Sequence, residues 1–130
     1  MRYIIPGTPT PLQRVRFVDR HCWDSQKALK IKIGIDIDKQ HGDLPQYTGA
    51  IKLLVVFYFR PAQSLSVKKQ EFLNNKSHVI RPDLSNLIKF VEDIAIGRLY
   101  NDDCIISEIV ARKCYDCNPR TEFEIIQLER

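Results

Sequence analysis

A chain of 130 residues that is 44% apolar and carries a net charge of +4 has the size and composition of one folded domain, 1–130, built on one core. No apolar run is long enough to cross a membrane and the N-terminus has no secretory h-region, so a cytoplasmic protein with reduced cysteines is expected. The total charge is too small to establish a polyanionic partner, but its distribution says more. Residues 11–32 hold six basic against two acidic residues, and 60–81 hold five against one.

In chain order, 1–5 reads as a short strand ended by Pro6-Gly7, and the alternating prolines of 8–11 as an extended arm. Arg14 and Arg16 are two apart, so an extended segment points both to one side, a geometry suited to a phosphate backbone. Trp23, the single tryptophan, is an anchor in a core or interface, or alternatively a platform for an exposed base. Asp24-Ser25 caps a helix running to about Lys39 with Lys27 and Lys30 outward, although Ile33, Ile35 and Ile37 also alternate like a strand. After a loop at 41–49, the run IKLLVVFYF at 51–59 is the clearest strand, apolar enough to be central and covered on both faces. Residues 62–80 are thin in apolar residues and rich in lysine, and read as a mobile basic loop or a short helix at 67–73. Lys68, Lys69 and Lys76 there, with Arg81 just beyond, are candidate phosphate contacts, and His78 is expected at the surface or against substrate.

Residues 81–103, RPDLSNLIKFVEDIAIGRLYNDD, hold five acidic residues. Pro82 sets up a helix start, Asp83 is placed to cap it, and Gly97 to end it in a left-handed conformation. The apolar positions at helical pitch cover most of the circumference, so the helix is expected to be largely buried, with Asn86, Lys89 and Asp93 along a narrow polar face. Acids at the start of a helix, on its polar face and in the turn after it repel one another unless a cation or proton compensates. Hard oxygen donors of this kind suit Mg²⁺. Beyond Asp103, 104–115 and 121–128 read as two strands joined by a hairpin loop at 116–120. Cys114 and Cys117 form one CxxC pair, whereas structural zinc usually takes two such pairs and a redox CxxC usually opens a helix.

The segment resembles the signature of the RusA-type Holliday junction resolvases, common in prophages. The matching residues are Pro82-Asp83, Asn86-Leu87, Lys89, Asp93 and the pair Asp102-Asp103. The opening IPGTPTPLQRVRF is similar to the start of many phage-borne members. The resemblance implies a small homodimeric α+β endonuclease that uses Mg²⁺, or Mn²⁺ as a substitute, to cut branched DNA in recombination and repair. Asp83, Lys89 and Asp103 then match catalytic positions, Asp83, Asp102 and Asp103 metal positions, and Ser85, Asn86 and Asp93 supporting ones. One position departs: Ser85 stands where the family has its second aspartate.

The expected architecture is a small mixed sheet of about four strands packed by two main helices. The expected function is Mg²⁺-dependent cleavage of four-way junctions. The alternatives are a junction binder of the same fold whose metal site Ser85 has weakened, and a zinc- or thiol-dependent protein centred on Cys114 and Cys117.

Overall fold

The structure, a computed structural model, describes residues 1–13, 16–18 and 21–128, with the backbone alone at 16–18 and 21–23. Its elements in order are β1 (Arg2–Pro6), β2 (Arg16–Val18), β3 (His21–Trp23), α1 (Lys27–His41), β4 (Ile51–Phe59), α2 (Val67–Leu73), α3 (Leu84–Ala95), a 3₁₀ turn at Asp103–Ile105, β5 (Ile106–Tyr115) and β6 (Arg120–Gln127). The main sheet has four strands in the order β1-β6-β4-β5, and β2 pairs with β3 as a separate ribbon. This is the expected α+β arrangement, with α2 as a third, short helix.

Eight β-branched, aliphatic and aromatic residues, interrupted only by Lys52, form β4, one of the two inner strands, between β6 and β5. Its odd-numbered residues, Ile51 to Phe59, are all buried, while the alternate ones are only half-buried. The sheet is therefore fully covered on one face, not on both as an unbroken apolar run suggests. The covering layer is α3, which sets Leu87, Phe90, Val91, Ile94 and Ala95 into the core, assisted by Ile37 of α1. Burying each such side chain contributes roughly 1.5–3 kcal/mol, so this layer supplies the main force holding α3 on the sheet.

Two expectations about neighbours change. β5 and β6 are not a hairpin: they flank β4 on opposite sides, β5 parallel to it and β6 antiparallel. The short connection crosses the end of β4, where the Asp116 N–H donates to the Phe59 carbonyl at 2.9 Å. Such a crossing spans two inter-strand spacings, about 10 Å, well within reach of four residues. Secondly, α3 is amphipathic: Ser85, Lys89 and Asp93 are exposed, one turn apart along its outer face.

Candidate active site

Asp83 is the N-cap residue of α3, with extended backbone angles of φ −66° and ψ 138°. Its carbonyl accepts the Asn86 and Leu87 N–H groups, yet its carboxylate makes no capping bond. The cap expected from the sequence is thus supplied by the backbone alone, and the exposed carboxylate is left for another partner. The approach to it is fixed by Lys113 on β5, whose Nζ donates to the Ile80 and Pro82 carbonyls at 2.6 and 2.7 Å. The N-terminal arm meets the same turn, because the Leu12 N–H donates to the Asn86 carbonyl at 2.9 Å. Buried Gln26 ties that arm down, accepting from the Gln13 N–H and donating to the Pro11 carbonyl. Gln26, not Asp24 or Ser25, occupies the N-cap position of α1, and Asp24 Oδ1 accepts the Gln26 N–H.

At the other end of α3, Lys30 is not outward as expected. Its ammonium bridges Asp24 at 2.9 Å and Asp93 at 2.7 Å and is largely covered. It therefore clamps α1 to α3 and neutralises the mid-helix aspartate. Beyond the helix, Gly97 at φ +79° takes the left-handed turn and its N–H donates to the Tyr100 carbonyl at 2.7 Å. The chain then reaches Asp102, whose Oδ1 caps the 3₁₀ turn by accepting the Cys104 N–H at 3.0 Å. Asp103 Oδ1 is buried with no hydrogen-bond partner.

The charges there are poorly compensated. Burial pushes the Asp103 carboxyl above its usual range; the Tyr100 hydroxyl beside it opposes the shift, and the charges of Asp102 and Asp93 add to it. Burial and the Asp103 charge likewise push Glu92 up, against the pull of Lys89. Raised folded-state values mean that the protonated carboxyls favour folding. That contribution is complete below the ordinary carboxylate range and is lost as pH rises through the raised values. In metal-free buffer, Asp103→Asn should therefore melt closest to the wild type below the ordinary carboxylate range and above it at neutral pH. Added divalent cation should close the gap. A Tm difference independent of pH would show that the Asp103 charge is not the cause.

Asp103, Asp102, Asp93 and Glu92 are thus gathered at the C-terminal end of α3. Asp83 is not: ten residues of helix separate it from Asp93, about 15 Å at 1.5 Å per residue. Ser85 and Lys89 lie between these ends on the exposed face. Lys68, Lys69, Lys76 and Arg81 are exposed along the segment leading to Asp83. Arg14, and the side chains of Arg16, Cys22 and Trp23, lie outside the described residues.

The donor chemistry fits a hard divalent cation. Mg²⁺ binds through one or two carboxylates, several waters and substrate phosphates, and Asp103 offers an unpartnered oxygen next to Asp102. Among the described residues no three His, Cys, Asp or Glu side chains close around one point. Cys114 is buried in β5 and Cys117 exposed in the loop beyond it, and neither joins such a cluster.

The sequence reading missed Lys30, Glu92, Tyr100 and Lys113. Glu92 was visible inside the motif, one position before Asp93. Lys30 and Lys113 carry no local signal, since their partners are 63 and about 30 residues away in sequence and only the fold brings them together.

No curated protein matches this chain. Across residues 6–126 it matches the model of the endodeoxyribonuclease RusA family, a span that takes in the arm, β4, β5, nearly all of β6, the three helices and every acid described above. The family's members are Holliday junction resolving endonucleases, generally dependent on divalent metal. Matched over nearly its whole length, the chain belongs to the RusA endodeoxyribonuclease family.

Proposed function

We propose that this protein is a Mg²⁺-dependent endonuclease that resolves four-way DNA junctions as a C₂ homodimer. The observation that carries the reading is the pairing of a free Asp83 carboxylate with an Asp103 oxygen that is buried and unpartnered. The buried oxygen is a costly arrangement without a ligand, and the exposed carboxylate is open to one. A divalent ion held by these acids supplies charge stabilisation at the scissile phosphate and lowers the pKa of water. Lys89, exposed on the same helix, is placed to neutralise charge growing on the phosphate oxygens. Asp93 is occupied by Lys30 and acts by positioning α3 against α1.

Because the length of α3 separates Asp83 from Asp93, near which the turn carrying Asp103 lies, each site in this reading takes Asp83 from one copy and the Asp102-Asp103 pair from the other. A symmetric pair also supplies the two equivalent nicks that resolution requires. The deciding experiment is cleavage of a synthetic four-way junction with and without Mg²⁺. No metal-dependent nicking by the wild type would leave the second reading, a junction binder whose site Ser85 has disabled.

Ser85 tests that alternative directly. It is exposed in the first turn of α3, one turn before Lys89, where a carboxylate is favoured by both the helix dipole and the lysine. Ser85→Asp should lower the Mg²⁺ concentration for half-maximal cleavage by about tenfold, since one more carboxylate completes a sparse donor set. Ser85→Ala should change little, and Mn²⁺ should support the wild type better than Mg²⁺. A wild type that is active while Ser85→Asp gains nothing would end the missing-ligand explanation.

Phosphate contacts by the exposed lysines should appear in salt dependence. Neutralising Lys68 or Lys69 should each reduce the slope of log K against log salt by about one unit. Unchanged slopes in both variants would place the DNA on another surface.

A further inference from the structure

Between β4 and α3, among the described residues, lie the four most exposed large apolar side chains. Val79 is 83% exposed, Val67 and Phe72 71% each, and Ile80 63%. Scattered single apolar residues are ordinary on a surface, whereas this concentration in one segment is not. They alternate with Lys68, Lys69, Lys76 and Arg81, all exposed, against the single acid Glu71. The Lys76 ammonium stands 5.4 Å from the centre of the Phe72 ring.

The segment is nevertheless firmly attached. The Asn75 N–H donates to the Tyr115 carbonyl, the Tyr115 N–H to the Lys76 carbonyl and the His78 N–H to the Lys113 carbonyl, so isolated bridges tie 74–78 to the edge of β5. His78 is buried, not at the surface: its ring stacks on Phe59 at 4.2 Å and tilts against Tyr115 at 5.0 Å. The Lys113 bonds then fix the carbonyls of Ile80 and Pro82. Pinned backbone with outward apolar groups is a surface already organised for contact, with little ordering entropy left to lose on binding.

The cations choose the occupant. They select a polyanion, and the segment leads straight to Asp83. A nucleic acid exposes apolar faces only where bases are unstacked, which in a four-way junction is the branch point. Resting on the junction-nuclease reading, we propose that Phe72 stacks on an unstacked base at the branch point. Val79 and Ile80 extend that apolar surface toward Asp83, and Lys68, Lys69 and Lys76 hold the flanking phosphates.

The test uses the full chain with Ca²⁺ in place of Mg²⁺ to prevent cutting. Its probes are a four-way junction carrying 2-aminopurine at the branch point and a duplex carrying it within a paired stretch. Phe72→Ala should weaken junction binding by about tenfold, within the range for loss of one base–aromatic stack, and leave duplex binding unchanged. Quenching of the branch-point 2-aminopurine should persist with wild type and Phe72→Trp and be lost with Phe72→Ala. The proposal is overturned if Phe72→Ala keeps junction affinity and quenching, or weakens junction and duplex equally. It is also overturned if sedimentation shows that Phe72→Ala separates two copies of the chain, since Phe72 is then a contact between copies. A wild type with no preference for junction over duplex removes the junction reading itself, an outcome distinct from failure of Phe72 alone.

Discussion

Asp83→Asn and Asp103→Asn should each lower cleavage of a four-way junction by roughly a thousandfold while junction binding stays equal or becomes tighter, the scale of loss when one preorganised charge-stabilising group is removed. In the proposed mechanism each carboxylate serves the reaction but also repels DNA phosphates, so rate and affinity are expected to move in opposite directions. Asp103 is the sharper case, because its Oδ1 is unpartnered and asparagine keeps an oxygen for the Tyr100 hydroxyl. Asp83 is comparable: its cap is made by its carbonyl, so asparagine leaves the start of α3 intact. Gel-shift affinity and single-turnover nicking measured on the same samples check this. Nicking at the wild-type rate in either variant removes that aspartate from the site.

Mixing the two inactive variants should restore activity. In a random mixture about half of the dimers are mixed, and in a shared-site dimer each mixed pair holds one intact site and one doubly altered site. Nicking should return to about a quarter of the wild-type level, with single nicks in place of paired ones, because only one of the two equivalent sites works. A site contained within one chain predicts the reverse, since every site in the mixture then lacks one acid. Mixtures as inactive as the separate variants would refute sharing. The prediction rests on the length of α3, which keeps Asp83 and the Asp103 neighbourhood about 15 Å apart along its axis.

Local chemistry was legible in the chain itself. The β-branched run at 51–59 forms a strand wherever it is placed, Gly97 is where the helix must end, and the order of acids and lysine marks the family. Residues 67–73 could be read as a mobile loop or a short helix, and the structure has the helix, with Ser66 capping it by accepting the Lys69 N–H. What the sequence could not determine was which distant groups meet. Period-two alternation shows that 106–115 and 120–127 are strands but is silent on the partner, and both took β4, the most apolar strand, instead of each other. Lys30 looks like any surface lysine until α1 packs on α3 and carries it to Asp93. His78 looks like a surface histidine until 75–78 pairs with β5 and turns its ring onto Phe59. Asp83 and Asp103 look like one cluster in a twenty-residue motif, yet Asp83 caps the start of α3 while Asp103 lies past its far end, in the 3₁₀ turn, among Asp93 and Glu92. Sequence specifies what each side chain can do, whereas the rigid spacing of helix and sheet decides which of them can act on the same atom.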